Sequence, residues 1–158
     1  MTTAATHADR YLQPGWFTRN VFNKLVQQLT RRGVSVYGSR ELQVRGRTSG
    51  ELRRVPVNLL TVDGQDYLVA PRGETQWVRN LREAGEGGLR VGRHQHPFRP
   101  TEMADDAKVD ILRAYLRKWK FEVGMFFDGV GPDSTDDELR AIAPRHPVFA
   151  ITYAEAAA

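Results

Sequence analysis

Apolar residues recur along the 158-residue chain with two different periods. Between Trp16 and Arg32 they fall at Phe17, Val21, Phe22, Leu25, Val26 and Leu29, the stripe of a helix, and Gly33 follows two arginines as a C-cap glycine does. From Glu41 the period shortens to two. ELQVRG reads as a strand, and RRVPVNLLTV as a second with Val55, Val57 and Leu59 on one face. Asp63-Gly64 predicts a tight hairpin into QDYLVAP. A short helix fits Thr75 to Glu83, ended by the glycines of AGEGG, and LRVG and HPFRPTEM follow as strands. The next helix, with Asp105 as its cap, runs to about Glu122 and turns Val109, Leu112, Leu116 and Trp119 inward. After the turn-rich FFDGVGPDST, the acidic DSTDDE opens a small helix over Asp136 to Ala143, and HPVFAITY closes as a last strand.

About six short, mostly antiparallel strands set apart from three or four helices predict the α+β class. A small barrel with the helices packed outside is the expected architecture, because closure leaves no exposed edge. The length suits one domain over residues 1–158, with 1–12 and 154–158 as flexible ends. Composition removes several alternatives. No cysteine is present, which excludes disulfides, thiolate metal sites and a cysteine nucleophile together. No 18-residue apolar run exists, and MTTAATHADR lacks the apolar centre of a secretory signal, so a cytoplasmic location is expected. His94 and His96 stand two apart without a further ligand at useful spacing, so no metal site is expected.

Charge changes the picture more. The net charge is +4, carried by 19 arginines against 4 lysines. A high-GC genome enriches arginine without any ligand, but that does not explain the clustering of Arg45, Arg47, Arg53 and Arg54 in VRGRTSGELRRVPVNLL. Gly46-Arg47-Thr48-Ser49-Gly50 is either an ordinary hairpin loop or an anion nest. In the second case its glycines let successive N–H groups converge, Thr48 and Ser49 add hydroxyls, and Arg47 adds a planar fork.

Pro56 interrupts its strand, since proline cannot donate to a ladder. It marks either a protected edge or an opening where a planar ligand meets the backbone. RGETQWVRNL places Trp77, Asn80 and Leu81 on a helix whose first turn can offer free N–H groups to an anion or a polarised carbonyl. Trp119, Phe121, Phe126 and Phe127 form either a core cluster or the wall of an apolar pocket.

Taken in order, VRGRTSGELRRVPVNLL, DGQDYLVAPRGETQWVRNLR, LRVG and HPVFAI resemble the deazaflavin (F420)-dependent nitroreductase family of actinobacteria. The resemblance covers roughly Glu41 to Tyr153; its most specific part is the G-R-x-S/T-G loop followed by R-x-x-P, supported by W-x-x-N-L. It implies a split β-barrel and the cofactor F420. By position it implies cofactor contacts at Arg47, Thr48 and Ser49, and at Arg53, Arg54, Val55, Pro56, Val57 and Asn58. It also implies contacts at Ala70, Pro71, Arg72 and Gly73, and at Gln76, Trp77, Val78 and Asn80. The crowded arginines then meet a phosphodiester and a glutamate tail.

The function so implied is hydride transfer from reduced F420 to an apolar electrophile: a quinone, an enone or a nitroaromatic. Val78 stands where many relatives have tyrosine, and the region of Val123 to Phe127 lacks the tyrosines of a nitro-reducing relative. The candidate acceptor pocket is therefore apolar, built of Trp119, Phe126 and Phe127. No catalytic side chain is assigned; water or a residue such as Tyr115 supplies the proton. A non-catalytic F420-, flavin- or fatty-acid-binding protein of the same fold is the alternative. A nucleic-acid partner is not expected, because acids are interspersed with the arginines and no recognition module is present. The helix over Trp16 to Arg32 is a candidate for peripheral membrane contact, and the oligomeric state is left open.

Overall fold

A computed structural model describes residues 39–154, so the helix expected over Trp16 to Arg32, and with it the candidate membrane contact, lies outside the described residues. Among the described residues there are six strands: β1 (Ser39–Arg45), β2 (Leu52–Val62), β3 (Gln65–Val69), β4 (Gly87–Val91), β5 (His94–Glu102) and β6 (Val148–Tyr153). They close into a barrel in the order β1-β2-β3-β6-β5-β4, with β4 returning to β1 and every pairing antiparallel. Three α-helices accompany them among the described residues: α1 (Gln76–Ala84), α2 (Val109–Val123) and α3 (Asp136–Ile142).

Local chemistry accounts for most of the boundaries. Asp63 and Gly64 both adopt positive φ (51° and 79°), the requirement of the two-residue turn whose twist matches a β-hairpin, and β2 pairs with β3 across it. Gly85 ends α1 in the left-handed conformation, its N–H reaching the Leu81 carbonyl at 2.9 Å. Thr135 and Glu138 form a reciprocal capping box at the start of α3, as the acidic run suggested. Asp105 does not cap α2. It begins a separate 3-10 turn (Asp105–Ala107) and pairs with Lys108 Nζ at 2.7 Å, because that buried ammonium, which also donates to the Ala143 carbonyl at 2.9 Å, is the stronger claimant.

Two apolar clusters result from the alternation of side chains along the strands. The barrel interior takes residues from all six strands, among them Leu42, Leu59, Leu68, Leu89, Phe98 and Phe149, and α1 adds Val78 and Leu81. On the outer face, Leu60, Val69 and Val148 meet α2 and α3. Leu59 and Leu60 are neighbours pointing opposite ways, and both are buried, so this part of β2 is covered on both faces. α1 approaches the barrel closely at Gly87, where a Cβ would lie 3.0 Å from Phe98 Cζ, 3.1 Å from Leu81 Cδ1 and 3.2 Å from the Gln43 carbonyl. Only glycine lets helix and sheet come this near.

Candidate functional site

The loop between β1 and β2 is closed by its own backbone. Gly46 N donates to the Glu51 carbonyl at 2.8 Å, and Gly50 N donates to the Gly46 carbonyl at 2.9 Å with Gly50 at φ 76°. Ser49 Oγ accepts from Glu51 N at 3.1 Å. Arg47 leaves the loop for α1: its backbone N–H donates to Asn80 Oδ1 at 3.0 Å, and its Nη1 donates to the same oxygen at 2.8 Å and to Gln76 Oε1 at 2.9 Å. Asn80 is 5% exposed, so a nearly buried amide anchors an exposed loop. Arg47, Gln76 and Asn80, expected at the cofactor from the resemblance, are joined to one another by these bonds.

This arrangement leaves several donors of the exposed loop without a partner. The backbone N–H groups of Thr48 and Ser49 and their hydroxyl protons are unclaimed among the described residues, and so is the Arg53 guanidinium, which packs against Gly46. Unclaimed donors of this kind on one short loop suit an oxyanion of the phosphate type. Arg54 is less free than the pattern suggested. Its Nε lies 3.2 Å from Oε2 of Glu41, a fully buried carboxylate that also faces Arg90 Nη2 at 3.7 Å and accepts from Gln43 Nε2 at 3.2 Å. Glu41 alternates with Leu42, so the chain pattern marks it only as an outward polar residue; nothing local announces its burial.

Pro56 sits where the ladder is one-sided. Among the described residues, Leu52 to Asn58 of β2 pair with β1 alone, and pairing with β3 begins only at Leu59. Pro56 lies opposite Glu41 in this half, so the missing N–H coincides with an open strand edge. The edge exists because β3 stops at Val69 and the chain turns off: Ala70 N donates to the Pro147 carbonyl at 2.9 Å, and Gly73, at φ 88°, donates to Ala70 at 3.2 Å. Ala70 and Gly73 are buried and Pro71 and Arg72 half-buried, with the Arg72 guanidinium 5.4 Å from the Phe126 ring centre. His146 steadies the same turn, its Nδ1 lying 3.4 Å from the Ala70 carbonyl while its ring stacks on Phe127 at 4.1 Å. Trp77 is half-buried beside Phe149, at 6.1 Å between centroids, whereas Val78 is wholly interior and can offer a ligand only its backbone.

α1 is held in place at its far side as well. Arg82 donates to Glu102 on β5 through Nε at 2.8 Å and to Glu74 through Nη1 at 3.0 Å. These two carboxylates, Glu102 first, raise its pKa still further above the ordinary guanidinium range.

The three aromatic residues expected to line an acceptor pocket belong to the core. Trp119 and Phe127 are 0% exposed and Phe126 is 6% exposed, and all three pack in the cluster beneath α2 and α3. Their burial has a physical cause. α2 departs from helical geometry at Trp119 (φ −125°, ψ 17°), and the 3-10 turn Gly124–Phe126 folds the following rings back under the helix instead of outward. Tyr115 is buried against Trp119, 5.0 Å between ring centres, and burial pushes its phenol pKa up.

Comparison with known families supplies the deciding observation: the family model of the F420H(2)-dependent quinone reductases matches residues 17–122. The chain belongs to that family. No curated protein sequence matches. Among solved structures, one described as a domain-swapped dimer is similar at TM-score 0.54 and 17% identity, over 86% of this chain and 97% of that one. An F420-H2-dependent reductase, FDR-A, matches at 0.52 and 15%, over 73% and 94%. General Stress Protein 26 from Bacillus anthracis matches at 0.50 and 8%, over 82% and 87%. At these identities the structural likeness is one of fold.

The F420H(2)-dependent quinone reductase family uses coenzyme F420, and the chain is accordingly an F420H2-dependent reductase acting on a small molecule. The donors around Arg47 to Ser49 have the chemistry that a phosphodiester requires, so the residues present fit the cofactor. Among the described residues no helix is long and apolar enough to cross a membrane.

Proposed function

We propose that this reductase passes hydride to an apolar, planar electrophile of the quinone or enone type, with nitroaromatics as further acceptors. The match to the quinone reductase family over residues 17–122 carries this reading. In it, Thr48, Ser49 and Arg53 hold the phosphodiester and glutamate tail of F420, with Arg47 fixing the loop to α1 and Arg54 adding positive charge beside it. Val55 to Asn58 offer the open edge of β2 to the cofactor, and Ala70 to Gly73 with Gln76 to Asn80 border the ring.

When bound, reduced F420 supplies a hydride from a ring carbon, where a flavin would carry nitrogen and allow single-electron steps. The protein's part is positioning and exclusion of water. Backbone N–H groups at the start of α1, left without intrahelical partners, are donors suited to the anion that an acceptor becomes. With Trp119 and Phe127 inside the core, acceptor selection falls on surfaces near the Ala70 to Gly73 turn and on the outer side of the cofactor.

The test is a titration followed by turnover. Oxidised F420 is expected to bind with micromolar or better affinity and FMN more weakly, by calorimetry. Reduced F420 is then oxidised on adding menadione, followed by absorbance. Equal or tighter FMN binding would sink the cofactor preference; F420 binding without turnover of any quinone, enone or nitroaromatic would sink the acceptor class.

A further inference from the structure

Two arginines meet over a buried carboxylate on the outer face of the barrel. Glu41 on β1 lies opposite Pro56 on one side and Arg90 of β4 on the other, and the next outward residue, Gln43, lies opposite Arg54. Leu42, between them, belongs to the interior, and directly opposite residues of a ladder share a face, so Arg54 and Arg90 flank Glu41 on the outside. Arg53 is turned the other way, level with Val44. The glutamate is fully buried, and each of its oxygens faces one guanidinium: Oε2 lies 3.2 Å from Arg54 Nε and Oε1 lies 3.7 Å from Arg90 Nη2. Gln43 Nε2 also donates to Oε2, at 3.2 Å, and Gln95 Nε2 donates to Gln43 Oε1.

One carboxylate shared by two guanidinium groups leaves positive charge in excess. Arg54 and Arg90 have no other acidic partner among the described residues, and Arg90 Nε, a buried donor, has no acceptor there at all. Glu41 comes nearest to Arg54 at Nε, the stem side of the guanidinium, and the Arg54 side chain is 48% exposed, so its terminal Nη pair is left to solvent. Such a fork matches the two oxygens of a further carboxylate. The place is close to the β1–β2 loop. Arg54 follows shortly after the start of β2, and Arg90 stands level with Glu41, about 13 Å along β1 from Arg45 at roughly 3.3 Å per residue. A few linked glutamates span that distance.

We propose that Arg54 and Arg90, held together by Glu41, form a second anion subsite that binds a carboxylate in the outer part of the cofactor's glutamate tail. The inference rests on the reading, given above, that the Arg47 to Ser49 loop and Arg53 hold the phosphodiester. It gives neighbouring arginines separate work, because they face opposite sides of β2: Arg53 meets the phosphate at the rim, and Arg54 meets the tail on the outer face. Glu41 and Arg90 lie outside the contacts that the resemblance implies. Glu41 is a positioning residue here, since it touches the two guanidinium groups and is itself closed to the ligand.

Two ligands test it: oxidised F420 carrying several glutamates, and its glutamate-free form, which keeps the ring and the phosphodiester. At low ionic strength the wild type should bind the tailed form about 3–10-fold more tightly, the worth of two partly exposed ion pairs, and high salt should erase the preference. Arg90→Gln should reduce it and the double variant Arg54→Gln, Arg90→Gln should abolish it, whereas Arg90→Lys keeps the charge and should retain part of it. The preference is a ratio measured within one protein, so a loss of stability does not imitate its disappearance. Arg117→Gln, which removes an exposed arginine from α2, should leave the ratio as it is. Equal wild-type affinity for the two ligands, a preference that survives in the double variant, or an equal loss in Arg117→Gln would overturn this proposal alone. Failure of the wild type to bind either form would overturn the cofactor placement itself.

Discussion

Replacing Asn80 by alanine tests whether the phosphate-type loop is held by α1 or stands by itself. Asn80 Oδ1 takes two hydrogen bonds from Arg47, one from the backbone N–H at 3.0 Å and one from the guanidinium at 2.8 Å. A neutral bond is worth about 0.5–1.5 kcal/mol net and a charge-assisted one about 1.5–3 kcal/mol. The two share one acceptor atom and Arg47 is exposed, so water recovers part of the loss and the values do not add. A stability loss of about 1–3 kcal/mol is expected, read by urea denaturation with an unchanged slope. The loop should suffer more than the barrel. With Arg47 retaining only its bond to Gln76, the Thr48 and Ser49 donors lose their fixed direction, and F420 affinity should fall by roughly tenfold or more, about 1.4 kcal/mol per decade. Asn80→Asp is the companion variant: it keeps the accepting oxygen, so stability should largely recover. Denaturation and F420 titration that both match the wild type in Asn80→Ala would refute the anchoring argument.

Two further outcomes follow from the packing. Phe127→Ala removes a fully buried ring stacked on His146 and should cost about 3–5 kcal/mol; a shift in the acceptor Michaelis constant at unchanged melting temperature would instead restore Phe127 to an acceptor wall. Gly87→Ala forces a methyl against the Gln43 carbonyl at 3.2 Å as well as two side chains, and should lower stability by about 1–3 kcal/mol, because backbone cannot step aside. A neutral Gly87→Ala melt would show that α1 rides further from the barrel than its contacts imply.

The chain by itself determined whatever depends on a few adjacent residues. Period-two alternation marked the strands, Asp63-Gly64 marked a turn that needs two positive φ values, and Gly85 and Thr135 marked helix ends. The Gly46 to Gly50 loop and Pro56 were legible for the same reason: each is a local restriction on backbone geometry or donors. Tertiary structure decided what those features touch. Arg47 meets Asn80 across 33 residues and Asn58 meets Glu122 across 64, and no periodicity encodes either separation. Burial of Glu41 between Arg54 and Arg90 was equally hidden, since an alternating polar residue looks the same whether water or arginine faces it. Trp119, Phe126 and Phe127 show the converse. An aromatic run has the same sequence in a core as on a pocket wall, and the break at Trp119 with the 3-10 turn Gly124–Phe126 brings Phe126 and Phe127 into the core beside Trp119. The open half of β2 needed both levels: Pro56 announced a missing donor, and the early end of β3 made that absence an edge.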